Sequence, residues 1–441
     1  MIAKAKLGII RSFAVPFAIV HAARAFLRTR RLAARLRTRV DVERWQAARL
    51  ADFLSRRIGR VPFYAGMGAH ALADLPVMDK ATLMASFARF NTAGATFAEV
   101  RAALDAGEGR LGRLIVGQST GTSGNRGVFV ISEAERFVWL GVILAKALPD
   151  AFRVRHRVAL ALPGFSRLYA AASDSGRVAV RFFDLARGVE RWRDELIAYA
   201  PDAIVAPPKV LRALAEAGGL APKHIFSAAE VLDPLDRAVI EAGLGATVRE
   251  IYMATEGLFG VACPHGTLHL AEDVVAFEWE PVEGASDLVA PLITDFTRHT
   301  QIMARYRMND LLRLADAPCG CGSPLRAVAR IEGRRDDVFL LPGCSGGATP
   351  VMVTPDVMRN AVVDSDRRIT DFRIVQTGAN QIALVLPTGL AGDAAEAARA
   401  ALRATLTKAG VGAATIALEP IAATPDHLKL RRVRRDWRPD G

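Results

Sequence analysis

Lysine is scarce in this sequence: only 8 of the 58 basic side chains are lysines. Any lysine with a role therefore stands out, while a basic face made of arginine does not. Cysteine is also rare, at 4 residues, which argues against a disulfide framework in the absence of a recognisable secretion signal. Residues 8–28 are fairly apolar, but Arg11, Pro16, His21 and Arg24 interrupt them. They form neither the unbroken span of a transmembrane helix nor a recognisable signal-peptide cleavage pattern. The expectation is a cytoplasmic protein. Internal repeats and low-complexity tracts are missing too, so solenoid and fibrous architectures drop out.

What the chain does have is one glycine- and hydroxyl-rich stretch, Gly117-Gln118-Ser119-Thr120-Gly121-Thr122-Ser123-Gly124-Asn125-Arg126-Gly127, between the apolar runs Leu114–Val116 and Val128–Ile131. Strand, tight loop, strand is the expected order. Glycines permit positive φ, so successive N–H groups can converge on one concavity, and four hydroxyls add donors suited to phosphate oxygens. The loop lacks the Gly-Lys-Ser/Thr ending of a Walker loop and does not open a helix as a dinucleotide fingerprint would. An ordinary polar hairpin remains the alternative.

With 441 residues and 51% apolar side chains, the chain can bury a sizeable core in two or three domains. The net charge of +12 is uneven, with 12 arginines between Arg24 and Arg60 and a second cluster at Lys429–Arg438. Such clusters suit a nucleotide, an anionic lipid, nucleic acid or an acidic carrier protein, and equally form a solvated basic face.

Along the chain, Val42, Trp45, Leu50, Phe53 and Leu54 recur at helical spacing from Asp41 to about Ile58. Asp79 is placed to cap a helix after Leu75–Met78, and Ser132 with Glu135 makes a capping box for the helix Phe137–Leu148. Short apolar strands at Arg157–Leu162, Val178–Phe183, Ala203–Ala206, His224–Ala228 and Thr247–Tyr252 alternate with helices at Arg191–Tyr199 and Val210–Ala217. That alternation predicts a mostly parallel α/β sheet with ligands at the strand C-termini. From Leu268 denser strands suggest an antiparallel, barrel-like subdomain. Gly333–Asp337 is the first candidate hinge. After it, Phe372–Thr377, Ile382–Pro387, a helix over Ala394–Lys408 and Ala414–Glu419 describe a compact α+β domain.

Three later stretches join the loop: Glu250-Ile251-Tyr252-Met253-Ala254-Thr255-Glu256-Gly257, Arg305–Asp310 and Glu332–Asp337. In this order they resemble the adenylate-forming (ANL) superfamily of acyl-CoA synthetases, adenylation domains and luciferases. Ala228-Ala229-Glu230, Cys263…His269 and Cys319-Gly320-Cys321-Gly322 are similar to the phenylacetate–CoA ligase branch. Thr255–Gly257, Cys263–His269 and Thr294-Asp295-Phe296-Thr297-Arg298 look like its coenzyme F-390 synthetase-related members.

The resemblance implies a large α/β N-terminal domain with a barrel-like subdomain, then a small mobile α+β domain. Boundaries are expected at 1–60 for a basic helical segment packed on the large domain, 61–335 for the large domain and 336–441 for the lid. It implies carboxylate activation by ATP to acyl-AMP and pyrophosphate, followed by thioester formation on CoA or the phosphopantetheine of an acyl carrier protein. Ser119, Thr120, Gly121, Thr122, Ser123 and Gly124 would cradle the β/γ-phosphates, and Glu230 would join the nucleotide site. Tyr252 would stack on adenine, Thr255 would hydrogen-bond the α-phosphate, and Glu256 would hold Mg²⁺. Asp310 would accept the ribose hydroxyls, Arg334 would assist, and Asp336 would be the pivot of the lid.

Lys429 stands where the family's adenylation lysine belongs. No glycine precedes it, a departure that leaves a surface lysine in a basic run as the alternative. Met253 occupies a position beside the acyl pocket where many relatives have glycine, so the pocket is reshaped. Trp139 and Phe226 are either pocket walls or core. Cys263, His269, Cys319 and Cys321 have the ligand types of a structural zinc site, with His265 as competing ligand and Cys344 unpaired. Two rival functions stand beside this one: AMP transfer to an acceptor without a thioester, and a non-enzymatic module binding nucleic acid or membrane through Arg24–Arg60. With the nucleotide motifs intact, no nucleic acid is expected as a main partner, and peripheral membrane contact through the basic N-terminus stays open.

Overall fold

A computed structural model describes residues 3–118, 127–162, 177–344, 349–422 and 428–439, with side chains from Ile19 onward. The glycine-rich loop residues Ser119–Arg126 lie outside the described residues, as do Asp426 and His427.

The chain opens with helix α1 (Ala3–Arg35) and helix α2 (Arg39–Arg56), the latter entered through a capping box of Thr38 and Asp41. Helix α3 (Lys80–Ala85) starts where Asp79 accepts the backbone N–H of Thr82 at 2.8 Å, as its sequence predicts. Helix α4 (Phe97–Asp105) precedes a small antiparallel sheet of β1 (Arg110–Leu111), β2 (Leu114–Gln118) and β3 (Val128–Ser132). Gln118 pairs with Val128, so strands do flank the glycine-rich loop. A Cβ on Gly117 would fall 2.3 Å from the ring of Phe129 opposite it, so a larger residue here would displace that ring.

Helix α5 (Glu133–Ala147) begins at the Ser132–Glu135 capping box. That Glu135 carboxylate also accepts the N–H groups of His299 and Thr300, at 2.6 and 2.9 Å. Burial pushes its pKa up, and the bonds from Ser132, Thr300 and His299 more than reverse this, holding it ionised. One side chain thereby caps a helix and pins a loop 164 residues away.

Next come β4 (His156–Leu162), β5 (Val178–Asp184), α6 (Arg193–Tyr199), β6 (Ala203–Ala206), α7 (Pro208–Ala217), β7 (His224–Ala228), α8 (Pro234–Leu244) and β8 (Val248–Ala254). They are followed by β9 (Gly257–Ala262), β10 (Leu268–Leu270), β11 (Val275–Val282), β12 (Ala285–Asp295), β13 (Tyr306–Arg307), β14 (Asp310–Leu314) and β15 (Ala327–Arg334). All these strands form one sheet, in the order β11-β12-β14-β15-β10-β9-β8-β7-β6-β4-β5 with β13 beside β12. The parallel half runs from β5 to β8. The denser antiparallel strands are continuous with it through the β8–β9 hairpin.

The basic N-terminal helices are packed onto this body. Gly141 of α5 approaches α1 so closely that a Cβ would meet the Ala22 carbonyl oxygen at 2.2 Å. Trp45 of α2 donates to the Asp273 carbonyl at 3.0 Å, and Arg39 reaches Glu272 at 2.5 Å. No helix among the described residues is long and apolar enough to cross a membrane.

After residues Arg335–Asp337 the chain forms β16 (Phe339–Leu341), β17 (Val351–Val353), α9 (Pro355–Val363), β18 (Arg373–Gln376), β19 (Gln381–Leu386), α10 (Gly392–Lys408), β20 (Thr415–Pro420) and β21 (Val433–Arg435). Phe339, Met358, Phe372, Leu384, Leu402 and Val433 share a hydrophobic core of their own. The strand–strand–helix–strand order expected from sequence is present. The sequence reading omits the β16–β17 hairpin, α9 and β21, which are short and owe their existence to this core. β21 pairs in parallel with β18, Ile374 opposite Val433, and that pairing brings the C-terminal basic segment back toward the large sheet.

Candidate functional site

Thr255 and Glu256 form the two-residue tip between β8 and β9, where Ala254 pairs with Gly257. A tip this short leaves both side chains at the C-terminal end of a parallel strand. Thr255 donates its hydroxyl to Glu256 Oε2 at 2.8 Å, and Tyr306 donates to Oε1 at 3.1 Å. Burial and the Glu256 charge raise the Tyr306 phenol far above its ordinary range, so it stays a donor.

Asp310 opens β14 and Arg334 ends β15, and the sheet register sets them opposite each other. Arg334 Nε lies 3.9 Å from Asp310 Oδ1, while the buried Tyr252 donates to Oδ2 at 2.8 Å. Burial raises the Asp310 pKa, and Arg334 and Tyr252 oppose it. Asn309 donates to Asp336 at 2.7 Å, tying the segment before β14 to the expected hinge.

Ala229 follows β7 with φ at 71°, a left-handed conformation that costs a non-glycine residue roughly 1–2 kcal/mol. The next residue, Glu230, has Oε1 buried with no hydrogen-bond partner among the described residues. Desolvation lifts its pKa to about 7, against the pull of Lys209, Leu430 N–H and Lys429. Lys429 is itself desolvated: burial lowers its pKa, Arg334 adds to this, and Glu230, Asp310 and Glu256 act in the opposite sense. The lysine of the C-terminal basic run is half-buried, within electrostatic reach of the carboxylates of the large sheet. Its position is held by Arg432, which reaches the fully buried Asp236 of α8 at 2.6 and 2.9 Å. Lys209 also bonds the Leu428 carbonyl, and Arg212 the Thr370 carbonyl at 2.9 Å.

Lys80 is a member that sequence reasoning missed. It opens α3, lines the cavity shared by Gly127, Thr255, Glu256 and Tyr306, and a Cβ on Gly127 would touch its Cε at 3.1 Å. Burial lowers its pKa and Glu256 raises it. The one signal available was the scarcity of lysine.

The expected metal ligands converge. One ligand atom each from Cys263, His269, Cys319 and Cys321 lie within 4.8 Å of one another. Cys263 and Cys319 sulfurs are 3.8 Å apart, and Cys321 Sγ is 3.3 Å from His269 Nε2. A tetrahedral ion with metal–sulfur bonds near 2.3 Å requires sulfurs roughly 3.8 Å apart, so the set fits zinc. His269 Nδ1 lies 3.0 Å from the Leu325 carbonyl, leaving Nε2 toward the cluster. The two halves meet because β10 pairs with β15. His265 is exposed and outside this group, which corrects its standing as a competing ligand. Cys344 is exposed and free. Phe226 is core, 1% exposed beneath the Arg249 guanidinium, whereas Trp139 carries the Arg298 guanidinium 4.8 Å above its ring. Met253 packs half-buried against the main core.

No protein-family model and no curated protein sequence matches the chain. Solved structures do. A 2-hydroxyisobutyryl-CoA ligase in the postadenylation state, in complex with an acyl-AMP, is 21% identical with a TM-score of 0.60, over 90% of this chain and 88% of that one. The same ligase in an open conformation with 2-HIB-AMP and CoA gives a TM-score of 0.52 at 21% identity, covering 90% of each chain. A structure from work on fatty acyl-adenylate ligases of E. coli and L. pneumophila gives 0.50 at 14%, over 71% of this chain and 67% of that one. The chain has the fold of the adenylate-forming enzymes.

Proposed function

We propose that this protein activates a small carboxylic acid with ATP, forming acyl-AMP and pyrophosphate, and passes the acyl group to CoA. The observation that carries the reading is one cluster: Tyr252, Thr255, Glu256, Asp310, Arg334 and Lys429, drawn from four separate segments, share a set of hydrogen bonds and interacting charges. The similar 2-hydroxyisobutyryl-CoA ligase, crystallised with its acyl-AMP and CoA, favours CoA as acceptor. The phosphopantetheine of an acyl carrier protein is the alternative thiol.

The substrate carboxylate is already a nucleophile, so the first step needs no catalytic base. Its oxygen attacks the α-phosphorus, the bond to the β-phosphate breaks, and the electron pair leaves on pyrophosphate. The protein's task is positioning and charge neutralisation. In this reading Tyr252 stacks on adenine, Asp310 with Arg334 holds the ribose hydroxyls, and Thr255 bonds the α-phosphate. Ser119–Gly124 cradles the outer phosphates, and Lys429 offsets charge developing at the α-phosphorus. Glu230, whose charge acts on Lys429, joins the nucleotide site. Glu256 would hold Mg²⁺, which supplies charge neutralisation on the phosphate oxygens.

We further assign a large domain ending near Arg335, a lid from Asp336 that pivots there, and an N-terminal segment over 1–60 that belongs to the large body. Cys263, His269, Cys319 and Cys321 would hold a structural zinc that clips the β9–β10 hairpin to the loop before β15. The setting is the cytoplasm, where ATP and CoA are supplied. Exposed Arg24, Arg28, Arg30 and Arg31 on α1 suit transient contact with an anionic surface.

The test is acid-dependent ATP–pyrophosphate exchange across aryl, fatty and hydroxy acids. Exchange with one acid class, abolished in Glu256→Ala, is the expected outcome. Wild-type protein that binds neither ATP nor AMP would overturn the reading.

A further inference from the structure

Helix α1 carries charge of one sign only. Over Ala3–Arg35 it has eight lysines and arginines and no aspartate or glutamate. Ala25, Phe26 and Thr29 form its buried side. Its exposed side presents Arg24, Arg28 and Arg31, and among them Val20 and Leu27. These five positions are three or four residues apart in succession, or one helical turn and its neighbour, so they share one face. A solvated basic face needs the arginines but has no use for the aliphatic side chains. Val20 and Leu27 are nevertheless each 43% exposed, and Ile19 62%.

A second element continues this surface. After α5 the chain turns through Phe152-Arg153-Val154-Arg155, four consecutive exposed residues that alternate apolar and basic. The Phe152 ring lies 4.3 Å from that of Phe26, which sets the turn against α1. The turn is well held. The N–H groups of Arg153 and Val154 donate to the Asp150 carbonyl at 2.7 and 2.9 Å, and the exposed Arg177 donates to the Arg153 carbonyl at 3.3 Å. The carboxylate of Asp150, the acid that precedes the turn, is engaged by His156 at 3.0 Å.

The geometry points to an anionic lipid bilayer as the partner of this composite surface. Helix α1 would lie along the headgroups with its arginines on lipid phosphates, while Leu27, Phe152 and Val154 enter the boundary between headgroups and acyl chains. Arginines alone would give only loose attraction; the apolar tips turn it into docking. Lying on the bilayer is the available mode, since no helix among the described residues is long and apolar enough to cross it. A nucleic acid would engage the cations and leave the apolar tips in water. A helix face with protruding side chains is convex, which suits a deformable lipid surface better than a segment of an acidic protein. Docking needs no nucleotide, so this inference and the adenylation reading stand or fall separately.

The test is sedimentation of the full chain with vesicles of phosphatidylcholine alone and of phosphatidylcholine mixed with phosphatidylglycerol. Binding to the mixed vesicles only is expected. Replacing Arg24, Arg28 and Arg31 together by Gln should weaken it by about fivefold per arginine. Leu27→Ser combined with Val154→Ser leaves the charge unchanged and should weaken it about tenfold or more. Both variants should keep the wild-type melting temperature, since the altered side chains face solvent. Wild-type protein that ignores the mixed vesicles would overturn the proposal, including the case in which it binds an acidic carrier protein or duplex DNA instead. So would vesicle binding that the Leu27 and Val154 replacements leave unchanged, because the surface would then be a basic face adsorbing by charge alone.

Discussion

The phenolic hydroxyl of Tyr252 donates to Asp310 Oδ2 at 2.8 Å, across 58 positions of sequence. The two residues come from β8 and β14, which do not pair with each other. The bond orients the Asp310 carboxylate and, after Arg334, opposes the rise in its pKa that burial causes.

Replacing Asp310 by Asn should therefore weaken AMP binding about tenfold or more, since a hydrogen bond to a charged group contributes roughly 1.5–3 kcal/mol. Tyr252→Phe should have a smaller effect in the same direction. Calorimetry with AMP measures both. An unchanged affinity in Asp310→Asn would remove Asp310 from the nucleotide site.

Lys429 should divide chemistry from binding. Lys429→Ala is expected to retain AMP affinity within about threefold while slowing acyl-AMP formation roughly 10²- to 10³-fold, the usual scale for one charge-stabilising group. Single-turnover formation of the adenylate reports the chemical step. Full adenylation activity in the variant would return Lys429 to the basic surface run.

Glu230 predicts a pH effect with a definite sign. Its folded pKa is raised from 4.5 to about 7. Below pH 4.5 both folded and unfolded forms are protonated, so it contributes nothing. As pH rises from 4.5 to 7 the unfolded carboxyl ionises first, and the folded state loses stability, by about 3 kcal/mol once above 7. Glu230→Gln should be more stable than wild type at pH 8 and nearly equal at pH 4. Urea unfolding at the two pH values checks this, and a pH-independent difference would contradict it.

Asp236 is the buried acid that Arg432 and Arg212 share. Removing one partner of a buried ion pair costs roughly 3–5 kcal/mol because the remaining charges lose their counterion. Asp236→Ala should loosen the C-terminal segment from α8, seen as faster amide exchange in Val433–Arg435. Exchange as slow as in wild type would show that other contacts hold the segment.

The cysteine–histidine cluster predicts about one zinc per chain in undenatured protein that has met no chelator. Chelation, or Cys319→Ser, should lower the melting temperature without changing AMP affinity. Metal analysis that finds none would remove the zinc.

Much of this protein is legible without a structure, for local reasons. Asp79, Ser132 and Glu135 announce helix starts because capping depends on residues three positions apart. The strands of the parallel half are apolar runs cut by proline, glycine and charge, and they stand where those runs do. The Thr255–Glu256 tip and the cysteine pairs are likewise visible as residue types at short spacing. Proximity between distant segments is another matter. Asp310 meets Arg334 through strand register, Cys263 meets Cys319 through the β10–β15 pairing, and Lys429 reaches the site because β21 joins β18. Lys80 is marked only by the scarcity of lysine, Arg298 closes the Thr294–Arg298 motif with no role read from it, and Gln301 has no local signature. Only the fold, which buries Arg298 and Gln301 and places all three on one cavity, distinguishes them from the other basic and amide side chains of the chain.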